Sequence, residues 1–183
     1  MKKILSVILS LSIMSVLTAC SGDDTESKTS SEETTQTTAE IVSEAETQSQ
    51  SELTFAQYLL DDFRTIIEAD PALTTEQIAE ELSKNEQILF SSMFMPVEEG
   101  FLQGFTQEIT GFESGATFAP AMGSIAFVGY VFELSDEDTA KTFAETLKSC
   151  ADPRWQICVE AEETVCEAVG NRVFFVMAPL SNQ

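Results

Sequence analysis

Apolar and polar positions divide the chain into three consecutive parts. Residues 4–17 are almost continuously apolar, and residues 21–52 consist almost entirely of Ser, Thr, Glu, Gln and Asp. Residues 53–183 mix apolar and polar positions and contain every aromatic residue of the chain. We therefore predict a single folded domain over residues 53–183, because only this part can bury a hydrophobic core.

The domain begins with the periodicity of two amphipathic helices. Apolar side chains recur every three or four residues over residues 53–69, and Pro71 ends the pattern because proline disfavours helical geometry in the residue before it. A second helix is predicted to start near Thr74, which has capping-box spacing with Gln77, and to fade near Asn85.

The middle of the domain has weaker patterns. Residues 88–97 are apolar and aromatic, which predicts a strand. We expect a helical turn over residues 98–103 and a short strand over residues 106–109. Residues 111–123 are rich in Gly, Ala and Pro and predict a loop.

The last third has clearer signals. Residues 124–134 are apolar at both odd and even positions, whose side chains point to opposite faces of a strand. This strand is therefore expected in a sheet covered on both faces, or in one whose second face meets the N-terminal helices. Ser135 is predicted to cap a helix. Residues 155–159 resemble a strand, and residues 165–169 and 172–178 a hairpin closed by Gly170 and Asn171.

This order of elements predicts an α+β fold. Two N-terminal helices and a later helix would pack on one face of a mainly antiparallel sheet. The chain would end in a β-α-β-β arrangement.

The N-terminus has the pattern of an export signal. Lys2 and Lys3 precede an apolar stretch that is too short for a hydrocarbon core of about 30 Å, which needs roughly 20 residues. The stretch ends in Leu17-Thr18-Ala19-Cys20, which resembles a bacterial lipobox. We predict a signal peptide over residues 1–19 and a lipid on Cys20 that holds the protein on the outer face of the cell membrane. An ordinary secretory signal with an accidental cysteine is the alternative.

The acidic Ser/Thr-rich segment that follows, residues 20–52, is expected to be disordered, since it cannot bury enough apolar surface to offset chain entropy. It would act as a stalk or spacer between the lipid and the domain.

Charge narrows the classes of partner. Residues 53–183 contain 22 Asp or Glu and 6 Lys or Arg, a net charge of −16. A field of this sign repels phosphate backbones and anionic lipid headgroups, so we expect no nucleic-acid partner and no membrane contact beyond the lipid on Cys20. Cationic partners and divalent ions remain open, beside the alternative that the charge serves only to keep an exported protein soluble.

No catalytic constellation is evident. The chain has no histidine, which excludes Ser-His-Asp and Cys-His catalysis, and no glycine-rich phosphate-binding motif. We assign no catalytic residue, no cofactor and no metal site.

Three cysteines belong to the domain. If residues 155–159 and 165–169 pair, Cys158 and Cys166 lie opposite each other and could form a disulfide in an oxidising compartment, leaving Cys150 alone. The alternative is that all three pack as small apolar groups.

The middle segment contains a set of apolar side chains that could form an adaptable binding surface. The set comprises Met93, Phe94, Met95, Phe112, Phe118 and Met122. Filling the core between helices and sheet is the alternative role.

Several of these features together resemble a family of uncharacterised lipoproteins of Gram-positive Firmicutes. They are the lipobox, the acidic stalk, Phe94-Met95-Pro96, the strand GSIAFVGYVFEL, the following helix and the hairpin strand RVFFVM, which extend over about three quarters of the chain. The resemblance implies a domain of unknown function and no activity.

The expected function is a non-catalytic binding or accessory domain that contacts an envelope protein or a small ligand. The alternative is a cell-envelope enzyme that works through carboxylates or a thiol.

Overall fold

The structure, a computed structural model, describes residues 53–181. The predicted signal peptide, the predicted lipobox with Cys20 and the predicted stalk lie outside the described residues. The elements in chain order are α1 (Phe55–Ala69), α2 (Thr75–Ser83), β1 (Ser92–Pro96), β2 (Gly100–Phe101), β3 (Glu108–Ile109), β4 (Ser114–Pro120), β5 (Val128–Glu133), α3 (Glu137–Cys150), β6 (Glu163–Val169) and β7 (Arg172–Ala178). The predicted α+β class is confirmed.

Both N-terminal helices start at a capping box. In α2 the Thr74 hydroxyl accepts the Gln77 N–H, and the Gln77 side chain accepts the Thr74 N–H, as the sequence spacing predicts. The same reciprocal pair joins Thr54 and Gln57 at α1. Each box satisfies two backbone donors that would otherwise lack partners, and so fixes where the helix begins.

Five strands form one antiparallel sheet in the order β1-β4-β5-β7-β6. The two edge strands are therefore β1 and β6. Strands β2 and β3 form a separate two-stranded ribbon. Gly170 has φ +60°, the positive value that the first position of the two-residue β6–β7 turn requires.

Helices cover both faces of the sheet, so the prediction that they share one face is wrong. Buried side chains of α1 and α2 form one cluster with Phe118, Val131 and Phe174. Those of α3 form a second cluster, on the opposite face, with Tyr130 and Phe132. Strand β5 contributes to both clusters, which is why its sequence is apolar at both parities.

The predicted loop over residues 111–123 is wrong, because Ser114–Pro120 is the interior strand β4. The residues that suggested a loop are small because the strand is crowded. A Cβ atom added at Gly115 would lie 2.9 Å from side-chain carbons of both Phe132 and Val97. Glycine therefore fits this strand for reasons of packing and not of turn geometry.

Three local predictions also differ from the structure. Residues 98–103 form no helical turn and instead contain β2, whose positive φ of 144° at Gly100 is incompatible with a right-handed helix. Residues 155–159 form no strand, only an isolated bridge between Gln156 and Val159. The cap of α3 is Asp136, whose carboxylate accepts the Thr139 N–H at 2.8 Å, and not Ser135.

Candidate functional site

The edge strand β1 exposes apolar side chains on both of its faces. Met93, Phe94 and Met95 are 36%, 42% and 42% exposed. Phe94 pairs with Phe118 and so points to the face covered by α1 and α2, whereas Met93 and Met95 point to the other face. We call this strand, with Met122, the β1 edge surface.

Met122 extends the surface past one end of the strand. It follows Ala121, whose N–H donates to the Ser91 carbonyl at 2.7 Å, one pair beyond the first residue of β1. The Met122 side chain is 79% exposed. The β1 edge surface is therefore built from two segments that a backbone hydrogen bond holds together.

The backbone of β1 is bonded along one side only. Val97 N–H donates to the Gly115 carbonyl, and Ala121 N–H to that of Ser91. Because hydrogen-bonded pairs alternate along an antiparallel ladder, Met93 and Met95 bond to β4, and the N–H and C=O groups of Ser92 and Phe94 point away from it. Among the described residues, no strand pairs with that outer side.

The opposite edge of the sheet is better protected. Helices α1 and α3 pack against the two faces of β6, whereas α2 packs against one face of β1. Arg64 of α1 reaches across to β6, where its guanidinium donates to both carboxylate oxygens of Glu167 at 2.6–2.7 Å. Natural sheets commonly protect an edge by covering or charging it, and β1 has the weaker protection of the two edges.

Two residues of the predicted binding surface belong to the core instead. Phe118 is fully buried against Phe127 and Phe174. Phe112 is half-buried, with ring centroids 4.9 Å from Phe132 and 6.1 Å from Phe143. The surface prediction is therefore wrong for Phe112 and Phe118, while the structure exposes Met93, Phe94, Met95 and Met122.

The disulfide that the sequence leaves open between Cys158 and Cys166 does not form, and all three described cysteines are free thiols. The reason is the missing strand at residues 155–159: Cys166 lies opposite Phe175 of β7, while Cys158 is exposed in a loop. Packing as a small apolar group, the alternative, fits the buried Cys150. It does not fit Cys158.

Burial makes two of the thiols poor nucleophiles. It raises the pKa of Cys166 to about 12 and also raises the pKa of Cys150. With these raised pKa values, both side chains stay protonated at neutral pH. They react slowly because the thiolate is the reactive form of cysteine.

We expect iodoacetamide at pH 8 to modify Cys158 in the native protein and to leave Cys150 and Cys166 largely unmodified. Relative to a thiol with the ordinary pKa of 9.0, Cys166 has about a thousandfold less thiolate. Peptide mapping by mass spectrometry measures each site, with protein denatured in guanidinium as the control in which all three react. Rapid native modification of Cys166 would contradict the raised pKa of this thiol.

A cleft of about 760 Å³ lies between α1 and the β6–β7 hairpin. Its lining includes Arg64, Glu133 and Arg172. The buried Arg172 guanidinium donates to the carbonyls of Pro71 and Leu73 at 2.9 and 2.6 Å, so it ties the α1–α2 connection to the start of β7. The sequence pattern did not reveal this role, because the two carbonyl partners lie about 100 residues away along the chain. The one signal was that Arg172 is the only charged residue of an otherwise apolar strand.

The cations of the cleft are already engaged by the protein. Arg64 bonds Asp61 and Glu167, and Arg172 lies 4.0 Å from Glu133 in addition to its two carbonyl partners. A ligand would have to displace these contacts. The outer backbone groups of β1 have no such partners in the part of the chain that the structure describes, so the β1 edge is the stronger candidate for binding.

Residues 53–181 contain neither a cluster of metal-ligating side chains nor a membrane-spanning helix. No group of three or more Cys, Asp or Glu side chains in this range is arranged to hold a metal ion. No helix in it is long and apolar enough to cross a membrane.

Comparison with known proteins found no matching family model, no similar curated protein and no similar solved structure. The function of this protein is therefore inferred from its own residues and geometry.

Proposed function

We propose that this protein is an extracytoplasmic lipoprotein, anchored to the membrane by lipid on Cys20, whose folded domain binds a partner through the β1 edge surface without catalysing a reaction. The observation that carries the binding role is a strand edge that no other strand within residues 53–181 pairs with, flanked by exposed Met93, Phe94 and Met95. Sheet edges of this kind pair readily with another chain.

The composition of the surface suits an adaptable contact. Methionine is unbranched and polarizable, so its side chain can repack around different partners. Phenylalanine adds a large apolar area. Together they provide apolar contact on both sides of a backbone that still has hydrogen-bonding groups to offer.

Of the two expected classes of partner, an envelope protein fits this surface better than a small ligand. Small ligands generally bind in concave pockets that bury most of their surface. The β1 edge is a strand, and its free N–H and C=O groups match the repeat of another polypeptide backbone.

The anchoring part of the proposal is supported by the sequence. Leu17-Thr18-Ala19-Cys20 follows a lysine-containing start and an apolar stretch of signal-peptide length. A lipid on Cys20 would hold the domain at the outer face of the cell membrane, where an envelope partner is accessible.

Site-specific photo-crosslinking in intact cells tests the proposal. A benzoylphenylalanine at position 94 is expected to give a discrete adduct, identified by mass spectrometry, with an envelope protein. The matched control carries the same group in place of Thr164, an exposed residue of the opposite edge strand β6, and should give no such adduct. Equal adducts from both positions, or none from position 94, would overturn the binding role of β1.

A further inference from the structure

We infer that the partner of the β1 edge is an extended, positively charged polypeptide segment that adds to the sheet as a sixth strand. This inference rests on the function proposed above and specifies the chemistry of its partner. It is carried by two independent observations, the direction of the free backbone groups and the distribution of charge.

The free backbone groups set the geometry of the added strand. The outer side of β1 offers the N–H and C=O of Ser92 and of Phe94, and the C=O of Pro96. Pro96 has no N–H, so the ladder of donors stops there. The edge can therefore hold about five residues of partner backbone, in register with Ser92 and Phe94.

Side-chain contacts on the two faces would follow from this register. Alternate residues of an added strand point to opposite faces. One set would lie beside Phe94, on the face of α2, and the other beside Met93 and Met95. The partner strand can thus bury apolar atoms on either face, including the aliphatic stems of long cationic side chains.

The chain segment that contains β1 and its neighbouring strand β4 carries charge of one sign. Every charged residue between Lys84 and Lys141 is Asp or Glu, and this stretch contains β1 through β5. Glu98 and Glu99 follow β1 almost directly. A cationic segment would be attracted to this edge and an anionic one repelled.

The cations of the described residues are already paired within the protein and do not offset this field at the edge. The ion pairs are Arg64 with Asp61 and Glu167, Lys84 with Glu80 and Glu81, Lys141 with Glu137, Lys148 with Glu145, Arg154 with Glu160, and Arg172 with Glu133. Asp and Glu outnumber these cations, so the carboxylates without an ion-pair partner remain available to a binding partner.

The same charge argues against two other occupants. A second copy would bring one domain of net charge −16 against another. The segment over residues 21–52 is itself acidic. Either would meet like charge at the edge, and this repulsion would weaken its binding. A cationic segment would instead be attracted to the edge.

The test uses the mature chain without lipid and a synthetic heptapeptide of alternating Lys and Val with blocked ends. We expect binding by fluorescence anisotropy that weakens as salt is raised. The same peptide with Glu in place of Lys should bind at least about tenfold more weakly at low salt. The Lys peptide with N-methyl groups on alternate residues, which cannot donate along one side, should also lose at least about tenfold.

Two variants of the protein locate the contact. Phe94→Pro removes an outward N–H that bonds nothing in β4, and Phe94→Ala removes the ring but keeps that N–H. We expect Phe94→Pro to weaken binding of the Lys peptide clearly more than Phe94→Ala does. The peptide arms need no protein variant, so they decide the question even if Phe94→Pro fails to fold.

Each contrary outcome has a defined meaning. Equal binding of the Lys and Glu peptides would overturn the cationic partner, and binding unaffected by N-methylation would overturn strand addition. A dimer in sedimentation velocity that Phe94→Pro abolishes would overturn the inference in favour of a second copy. If position 94 still gives its crosslinked adduct in these cases, the proposed function stands while this inference falls; loss of that adduct removes both.

Discussion

Replacing Gly129 with alanine is expected to lower the free energy of unfolding by about 3 kcal/mol, at the upper end of the usual cost of overpacking a core. Gly129 lies in the interior strand β5, directly opposite Phe118 of β4. A Cβ atom at this position would overlap the ring of Phe118. That ring cannot move aside freely because it is fully buried against Phe127 and Phe174.

Urea unfolding of the soluble chain measures the loss. The matched control is the same substitution in a Phe118→Ala background, where the space left by the ring accepts the new methyl group. There, Gly129→Ala should cost less than about 1 kcal/mol, because the two residues interact directly. Equal losses in both backgrounds would show that strain at Gly129 does not come from Phe118.

Cys20→Ser is expected to move nearly all of the protein from the membrane fraction to the soluble fraction. A lipobox cysteine is the proposed acceptor of the lipid, and two or three acyl chains hold a protein firmly where weak surface contacts do not. Residues 53–183, with a net charge of −16, give no attraction to anionic headgroups that could replace the lipid.

Fractionation followed by immunoblotting measures this change, and intact mass shows whether the wild-type chain starts at a lipid-modified Cys20. Cys158→Ser serves as the control and should remain in the membrane fraction, since Cys158 belongs to the folded domain. Retention of Cys20→Ser on membranes would contradict the proposed anchor.

The elements predicted best from the sequence are those with local signals. The second helix starts where Thr74 and Gln77 have capping-box spacing, and the closing hairpin turns at Gly170. Such signals act over three or four residues, so the chain around them specifies the structure without help from distant segments.

Strand β4 shows where local signals fail. Its glycine and alanines resemble a loop, yet Gly115 is required by the side chains of Val97 and Phe132, which come from other parts of the chain. The sequence also failed to place α3 on the face opposite α1 and α2, for a related reason. Apolar residues at both parities of β5 show that both faces are covered, but they do not show which helix covers which face.

The candidate site was predicted in part. Composition picked out Met93, Phe94, Met95 and Met122, but it could not separate them from Phe118, because exposure depends on strand order. Phe118 belongs to an interior strand and Phe94 to an edge, and the two lie directly opposite each other. The disulfide alternative for Cys158 and Cys166 failed likewise, since it depended on a strand at residues 155–159 that does not form.

Residue-resolved amide hydrogen exchange by NMR tests most directly whether β1 is an open edge poised to bind. The N–H groups of Met93 and Met95 bond to β4 and should be protected, whereas those of Ser92 and Phe94 should exchange far faster in the free protein. Adding the Lys and Val peptide should slow exchange at Ser92 and Phe94. If the Phe94 amide of the free protein is as protected as that of Met95, the edge is already covered, and the proposed binding surface is wrong.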